Sequence, residues 1–404
     1  MDGTPAPMAT DEQPWNRQRL RSNNERLLLE QLRTAGSSTR AQLARDTGLS
    51  KPTVSSALAA LQAHGLVRVV GTLAPDRGRT AVLYEPDPTA GYVLGIDIGR
   101  ARLRAAVADL AGTVLSRADI PNRARTATAV AELAGRAAEQ VLAEAGVSMA
   151  EVVHTSLGSP GVFDAQDERV HFAANLPGWG RAGLLEGLRE RLGASELSMH
   201  NDANLAALGE YSFGVGRGSR LFVYVLIGTG LGVGIVSHGE LFTGAHGAAG
   251  EIGYLPAAFG AATAPAARRG ALETAVSADA VVRAARARGM PGRLSAKTVF
   301  AAARAGDPIA AQVVREEGER LALVVAAVTA VLDPDLIVLG GGLGHSADLL
   351  LDQIRSTLAH STPLRPTVAP STLGDDAVLL GAIATALRIA RPQVFDRRTD
   401  PRPA

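Results

Sequence analysis

Short apolar runs that stop at glycine-rich turns recur through most of this 404-residue chain. Gly91–Ala108 reads GYVLGIDIGRARLRAAVA, a strand ending at Asp97, a glycine turn and a returning strand. Residues 223–234 (VYVLIGTGLGVG) and 336–344 (LIVLGGGLG) repeat the device. A strand followed by glycines brings backbone amides to the mouth of a sheet, where a side chain would block close approach. Strands that end in such turns are a habit of α/β proteins. One unit alone says little, because glycine turns after strands are common; their order and spacing carry the information.

Length calls for two or three domains. Apolar residues at 46% and charged residues at 20% fit a globular protein with a sizeable core. The chain has no cysteine, which excludes disulfides and thiolate metal sites and suits a reducing compartment. The first twenty residues, MDGTPAPMATDEQPWNRQRL, lack the apolar segment of a secretory signal. The longest clean apolar run, Leu321–Leu332, is too short to span a bilayer and reads as a buried helix before a strand at Leu336–Leu339. A soluble cytoplasmic protein, with no membrane partner, is expected.

Net charge is +1 for the whole chain, yet residues 13–80 hold eleven Arg/Lys against four acids. This head therefore carries +7 and the remainder −6, the asymmetry of a phosphate-binding module on an acidic body. Ser22–Glu25 forms a capping-box pattern before a first helix near 23–34. Thr39 and Gln42 repeat the pattern for a short second helix that stops at Gly48. Ser50 caps a third helix with Pro52 in its first turn, Val54, Leu58 and Leu61 inward, and Gly65 at its end. Strands at 66–70 and 82–84 follow. Helix, turn, helix and hairpin in this order make a winged helix-turn-helix. Its recognition helix would offer Ser50, Lys51, Thr53, Ser55 and Ser56 to DNA, and its wing tip Arg77 and Arg79 to a narrow minor groove. A small helical packing module with a solvated basic loop is the bland alternative.

Further along the chain come L-G-S-P-G-V-F-D (157–164), N-L-P-G-W (175–179), H-N-D-A-N (200–204) and G-E-I-G-Y (250–254). Together with the glycine turns, these motifs resemble the ROK family (repressor, open reading frame, kinase) of the actin-like ATPase superfold over roughly residues 15–390. The resemblance implies an α/β body of two actin-like (ribonuclease-H-like) lobes with a central cleft, preceded by an α+β winged helix-turn-helix domain. Domains are expected at 13–85 for the head, 91–205 for the first lobe (completed by a C-terminal helix near 375–390) and 206–374 for the second. Residues 1–12 and 391–404 are expected as disordered tails.

In kinases of the family the Asp of the N-D pair is the general base on the sugar hydroxyl, a position taken here by Asp202. The resemblance assigns sugar contacts to Asn175, Asn201, Asp202, Glu251 and Glu273; carboxylates and amides match vicinal hydroxyls well. Asn201 and Asp202 read equally as the cap of a helix over 203–210.

Three departures set this chain apart from the family's kinases. The first phosphate turn reads Asp97-Ile98-Gly99-Arg100-Ala101, without the small residue and hydroxyl of the kinase motif. The family's zinc loop is erased: Ala264, Ala266 and Ala271 stand at its cysteine positions and Tyr254 at its histidine, whereas structural zinc needs four N or S ligands. The loop 257–269 is left alanine-rich and unanchored. The expectation is a regulator, not an enzyme, with no cofactor and no metal, and with Asp202 as a degenerate general base. Its partners would be a double-stranded DNA operator, a sugar or sugar-phosphate effector, and a second copy in a homodimer or tetramer. The alternative is an ATP-dependent sugar kinase retaining a DNA-binding head.

Overall fold

The computed structural model describes residues 17–74, 80–164, 169–171, 179, 184–194, 196–255 and 270–399. They belong to two units, a head (Met1–Gly91 with Arg391–Ala404) and a body (Tyr92–Ala390).

In the head, α1 (Arg17–Ala35), the two-residue β1 (Ser38–Thr39), α2 (Arg40–Thr47) and α3 (Lys51–Ala63) precede β2 (Val67–Leu73) and β3 (Ala81–Pro86). β3 pairs antiparallel with both β1 and β2. The Thr39 hydroxyl accepts from the Gln42 amide at 3.3 Å, while the Gln42 side chain accepts from the Thr39 amide at 2.8 Å. Gly48 then ends α2 with φ 71°, a left-handed conformation that glycine adopts without strain. Leu28, Leu32, Leu43, Val54, Leu58 and Leu61 are fully buried and form the head's core.

Two expectations about the head are corrected. α1 begins by Arg17, so the Ser22–Glu25 pattern lies inside the helix; the flanking Arg, Gln and Leu are good helix formers and carry the polar triplet through. The chain after Ala390 is no disordered tail over 391–399, which are the end of a helix running to Thr399. Val394 and Phe395 are buried there, two apolar anchors among charges and prolines.

The body contains one topology twice. β4 (Tyr92–Ile98), β5 (Arg102–Asp109) and β6 (Val114–Pro121) form an antiparallel meander, which β7 (Val152–Ser159) and β10 (Leu197–Asn201) extend in parallel in the order β6-β5-β4-β7-β10. β11 (Leu221–Ile227), β12 (Leu231–Ser237), β13 (Glu240–Leu241), β14 (Leu336–Gly340) and β15 (Val368–Pro370) repeat it as β13-β12-β11-β14-β15. The short pair β8 (Val162–Asp164) and β9 (Arg169–His171) stands apart.

Helices α4 (Ala127–Ala145) and α5 (Leu184–Leu192) cover the first sheet. α7 (Ala271–Val276), α8 (Ala278–Ala287), α9 (Ala296–Arg304), α10 (Pro308–Leu332) and α12 (Ala347–Ser361) serve the second, with α11 (Gly341–Gly344) following β14. α10 contains the expected apolar run, but Leu323 and Val331 on it are exposed.

Two helices exchange partners. α6 (Asp202–Phe213) follows the first sheet yet packs its alanines on the second, where Gly234 leaves room for Ala203 and Ala207. α13 (Ala377–Thr399) follows the second sheet yet lies on the first, with Val378 against Gly158 and Ile383 against Gly95. They meet backbone to backbone: a β-carbon on Gly209 would stand 2.2 Å from the Ala377 carbonyl oxygen, and one on Gly381 1.8 Å from that of Leu205. Glu210, fully buried, locks the junction. Its carboxylate accepts from the amides of Val215, Thr372 and Leu373 at 2.7–3.0 Å and from the hydroxyls of Ser371 and Thr372.

Gly381→Ala is expected to destabilise the protein by about 3 kcal/mol through overpacking. Gly187→Ala, on the exposed face of α5 with nothing near its added carbon, is expected to gain about 0.5–1 kcal/mol from helix propensity. Denaturant unfolding of both variants beside the wild type checks the contrast.

Candidate functional site

A cleft of about 260 Å³ opens where the ends of β4, β10, β11 and β14 converge, just below the usual small-molecule range of about 300–1,000 Å³. Strand ends supply its polar groups because the chain turns there and frees side chains and amides from the ladder.

On the first sheet, Asp97, next to last in β4, is buried. Antiparallel register sets Arg104 directly opposite Asp97 and Asp119 opposite Arg104. The guanidinium donates to Asp97 at 3.1 Å and lies 3.5 Å from Asp119 and 3.6 Å from Asp375. Burial pushes the Asp97 carboxyl up to about 6 despite that neighbour. Burial works against the Arg104 charge, but Asp97 and Asp119 outweigh it and hold its pKa above the ordinary value. The turn beyond Asp97 is pinned by Asn122, whose side chain donates to the Gly99 carbonyl at 2.8 Å and whose amide donates to that of Ala101 at 2.9 Å. Arg100 is left exposed at the cleft edge.

Asn201 and Asp202 form part of the cleft lining. The Asn201 side chain caps α6 by accepting from the Asn204 amide at 3.1 Å, and donates to the Gly161 carbonyl at 3.0 Å. Asp202 accepts from the Ala203 amide at 2.8 Å. Burial first, then the charge of Asp97, raises its carboxyl to about 7. Glu251 is raised by burial and by Glu273. Glu273, in the first turn of α7, accepts from the Leu231 amide at 3.2 Å, and Gly230 has no side chain because this carboxylate fills the space.

Four of the five sequence-derived sugar contacts, Asn201, Asp202, Glu251 and Glu273, thus face one cleft; Asn175 lies outside the described residues. The cap reading of Asn201 is observed as well. Gly228, Thr229, Gly230, Gly341 and Gly342 line the opposite wall. Zinc does not fit the residues present: Ala271 carries no donor, Tyr254 offers a phenol, and Ala264 and Ala266, outside the described residues, are alanines in a chain without cysteine. No group of three metal-ligating side chains occurs among the described residues. Sequence reasoning missed Arg104, Asp375 and Asn122. Arg104 was within reach, since a turn over 99–102 that sets Leu103 against Ile98 places it opposite Asp97; Asp375 comes from far along the chain and leaves no such trace.

In the head, Ser50, Lys51 and Ser56 are exposed on α3, with Thr53 and Ser55 half-buried beside them. Ser50 is also the cap, accepting from the Thr53 amide at 3.3 Å. Arg77 and Arg79 lie outside the described residues. Three of the head's arginines are neutralised locally: Arg26 by Asp396, Arg33 by Glu30 and Arg68 by Glu85.

The ROK family model matches residues 93–389, and that of the IclR helix-turn-helix domain matches residues 27–71. A glucokinase of Streptomyces coelicolor is 32% identical over 314 residues, 72% of this chain and 96% of that protein. The xylose repressor of Bacillus subtilis is 24% identical over 362 residues, 89% of this chain and 93% of its own length. Among solved structures, a ROK family glucokinase from Streptomyces griseus in complex with glucose and AMPPNP is 29% identical with TM-score 0.65, covering 75% of this chain and 100% of that one. A ROK family transcriptional regulator, a homolog of E. coli Mlc, shares the fold at TM-score 0.75 and 22% identity, covering 93% of this chain and 99% of that one.

Asp97 and Asp202 bind protons in the folded state that an unfolded carboxyl, at about 3.9, has released. Their contribution to stability is complete below about pH 4 and is lost as pH rises toward 7. Asp202→Asn, which keeps the acceptor for Ala203, is expected to flatten this dependence and to exceed wild type at pH 8 by at least about 1 kcal/mol. Denaturant unfolding between pH 5 and 8 measures it.

Proposed function

The chain belongs to the ROK family, and we propose that it is a sugar-responsive DNA-binding transcriptional regulator, a repressor, whose kinase-like body binds a sugar without phosphorylating it. The observation that carries this reading is the pairing of a helix-turn-helix head with a cleft in which Asp97 is tied to Arg104 and the adjoining turn reads Gly99-Arg100-Ala101. The glucokinase matches span about three quarters of the chain, while the repressor and regulator matches extend to about nine tenths.

Asn201, Asp202, Glu251 and Glu273 line the cleft together and offer donors and acceptors suited to sugar hydroxyls. Asp97, Asp202, Glu251, Glu273 and Asp375 line the cleft against Arg100 and Arg104. This negative balance favours a neutral sugar over the sugar phosphate that the same contacts would also accept. Two heads of a homodimer, or of a tetramer, engage half-sites of a duplex operator; Ser50, Lys51, Thr53, Ser55 and Ser56 face the bases and the wing arginines Arg77 and Arg79 the minor groove. Sugar binding releases DNA to the extent that one state of the body holds the sugar better than the other. No cofactor enters this scheme.

A second reading, an ATP-dependent sugar kinase that keeps a DNA-binding head, draws support from the glycine walls of the cleft and from Asp202, whose pKa near 7 suits a general base. On that reading the protein turns over ATP in the presence of one sugar; on the reading preferred here it does not.

Thermal unfolding against a panel of neutral sugars is expected to identify one ligand that stabilises the protein by about 2.7 kcal/mol at a hundredfold excess over its Kd. Asp202→Ala is expected to remove that response. A coupled assay with the same sugar and ATP is expected to show no phosphate transfer. An Asp202→Ala protein that still releases DNA normally with its sugar would sink the assignment of the cleft.

A further inference from the structure

The recognition helix α3 ends in an arrangement that the first 91 residues alone do not complete. His64 caps it, with its amide bonded to the Ala60 and Gln62 carbonyls, and the Gly65 and Leu66 amides bond to those of Gln62 and Leu61. The next carbonyls, of His64 and Gly65, accept instead from Arg398 at 3.1 and 3.0 Å. The same guanidinium donates to the Ala90 carbonyl at 2.6 Å. One planar fork from the far end of the chain thus joins the end of α3, the start of the wing, and the short helical turn Pro88–Ala90. Gly65 makes room for it: at φ 62° it occupies the left-handed region, and a β-carbon there would stand 2.7 Å from the Arg398 Nη1. A cation at a helix C-terminus also complements the helix dipole.

Arg398 is itself held. Its helix meets α1 at Arg26, which lies 4.5 Å above the ring of buried Phe395 and pairs with Asp396, and Val394 beside them is buried too.

We propose that Arg398 is a positioning residue for DNA recognition: the head is built from both ends of the chain, and the C-terminal residues 391–399 hold α3 and the wing in the geometry that reads DNA. The inference rests on the DNA-binding reading above but is separable from it. Arg398 touches no nucleic acid in this scheme; it raises the fraction of heads that are competent to bind, and the apparent Kd scales inversely with that fraction.

The test uses full-length protein. A duplex is selected from a random-sequence library by the wild type, and its affinity for wild type, Arg398→Ala and Arg398→Lys is then measured by fluorescence anisotropy from 50 to 200 mM salt. The expected result is about a tenfold loss for Arg398→Ala. Arg398→Lys, which keeps the charge but cannot reach three carbonyls, is expected to lose most of the same affinity. The slope of log K against log salt should stay unchanged in both, whereas losing a phosphate-contacting arginine lowers it by about one. The sugar-induced thermal shift of the body should also be unaltered. Wild-type affinity in either variant overturns the positioning role, and a slope lowered by about one reassigns Arg398 to direct phosphate contact. If the wild type selects no duplex, the DNA-binding reading itself falls, and this inference with it.

Discussion

Backbone contact between α6 and α13 is the constraint on which the body's cleft depends. Each helix leaves one sheet and packs on the other, and at Gly209 and Gly381 they approach more closely than any side chain would permit. The exchange brings Asp202, at the start of α6, and Ala377 and Val378, at the start of α13, to the same opening. Had either glycine been alanine, the helices would have to separate and the strand ends they carry would move with them. Glu210 makes the approach specific rather than merely close. Its five donors all come from the segments that follow α6 and β15, so the buried carboxylate fixes where both chains turn. A buried carboxylate without such donors would be costly to keep charged; here hydrogen bonds from several amides offset the lost water.

The loop that Glu210 holds continues into Asp375 and Asp376, and these reach back to the first sheet, Asp375 beside Arg104 and Asp376 in a two-pronged pair with Arg117. The row Asp97–Arg104–Asp119 across three strands is therefore met from the second half of the chain by a third carboxylate. A guanidinium so surrounded is a poor receptor for a further anion, because three carboxylates within 3.6 Å already balance its charge. On the proposed reading this is how a phosphate-handling cleft becomes a neutral-sugar pocket: the cation is supplied by the protein and is satisfied by it.

Much of this was legible before any coordinates. The winged head followed from Thr39, Gly48, Ser50 and Gly65, since capping residues and left-handed glycines act locally and leave their mark within four residues. The cleft residues Asn201, Asp202, Glu251 and Glu273 could be grouped through the resemblance to the ROK family, because motifs kept in the same order along a fold carry their places in it with them. What escaped depends on long-range pairing. Glu210 reads as one more acid on a helix until the segment 371–373 arrives 160 residues later. Arg398 reads as tail charge, for the apolar signal that docks it is only Val394 and Phe395. The start of α1 was misplaced for the opposite reason: a good local capping pattern at Ser22 was overridden by continued helix on both sides of it.

Asp202 bears on the choice between sensor and enzyme more subtly than its position suggests. A carboxyl near 7 is half protonated at neutral pH, and in that form it both donates to and accepts from a sugar hydroxyl, as a binding site requires. A base must instead be ionised when the hydroxyl approaches, and about half of the molecules are so at neutral pH, which serves either role. In a phosphoryl-transfer site the charge of Asp97 would be answered by a group that arrives with the substrate; Arg104 answers it permanently. On the proposed reading, then, sugar affinity should depend on pH only weakly across the neutral range, because either protonation state of Asp202 retains a hydrogen bond to the same hydroxyl.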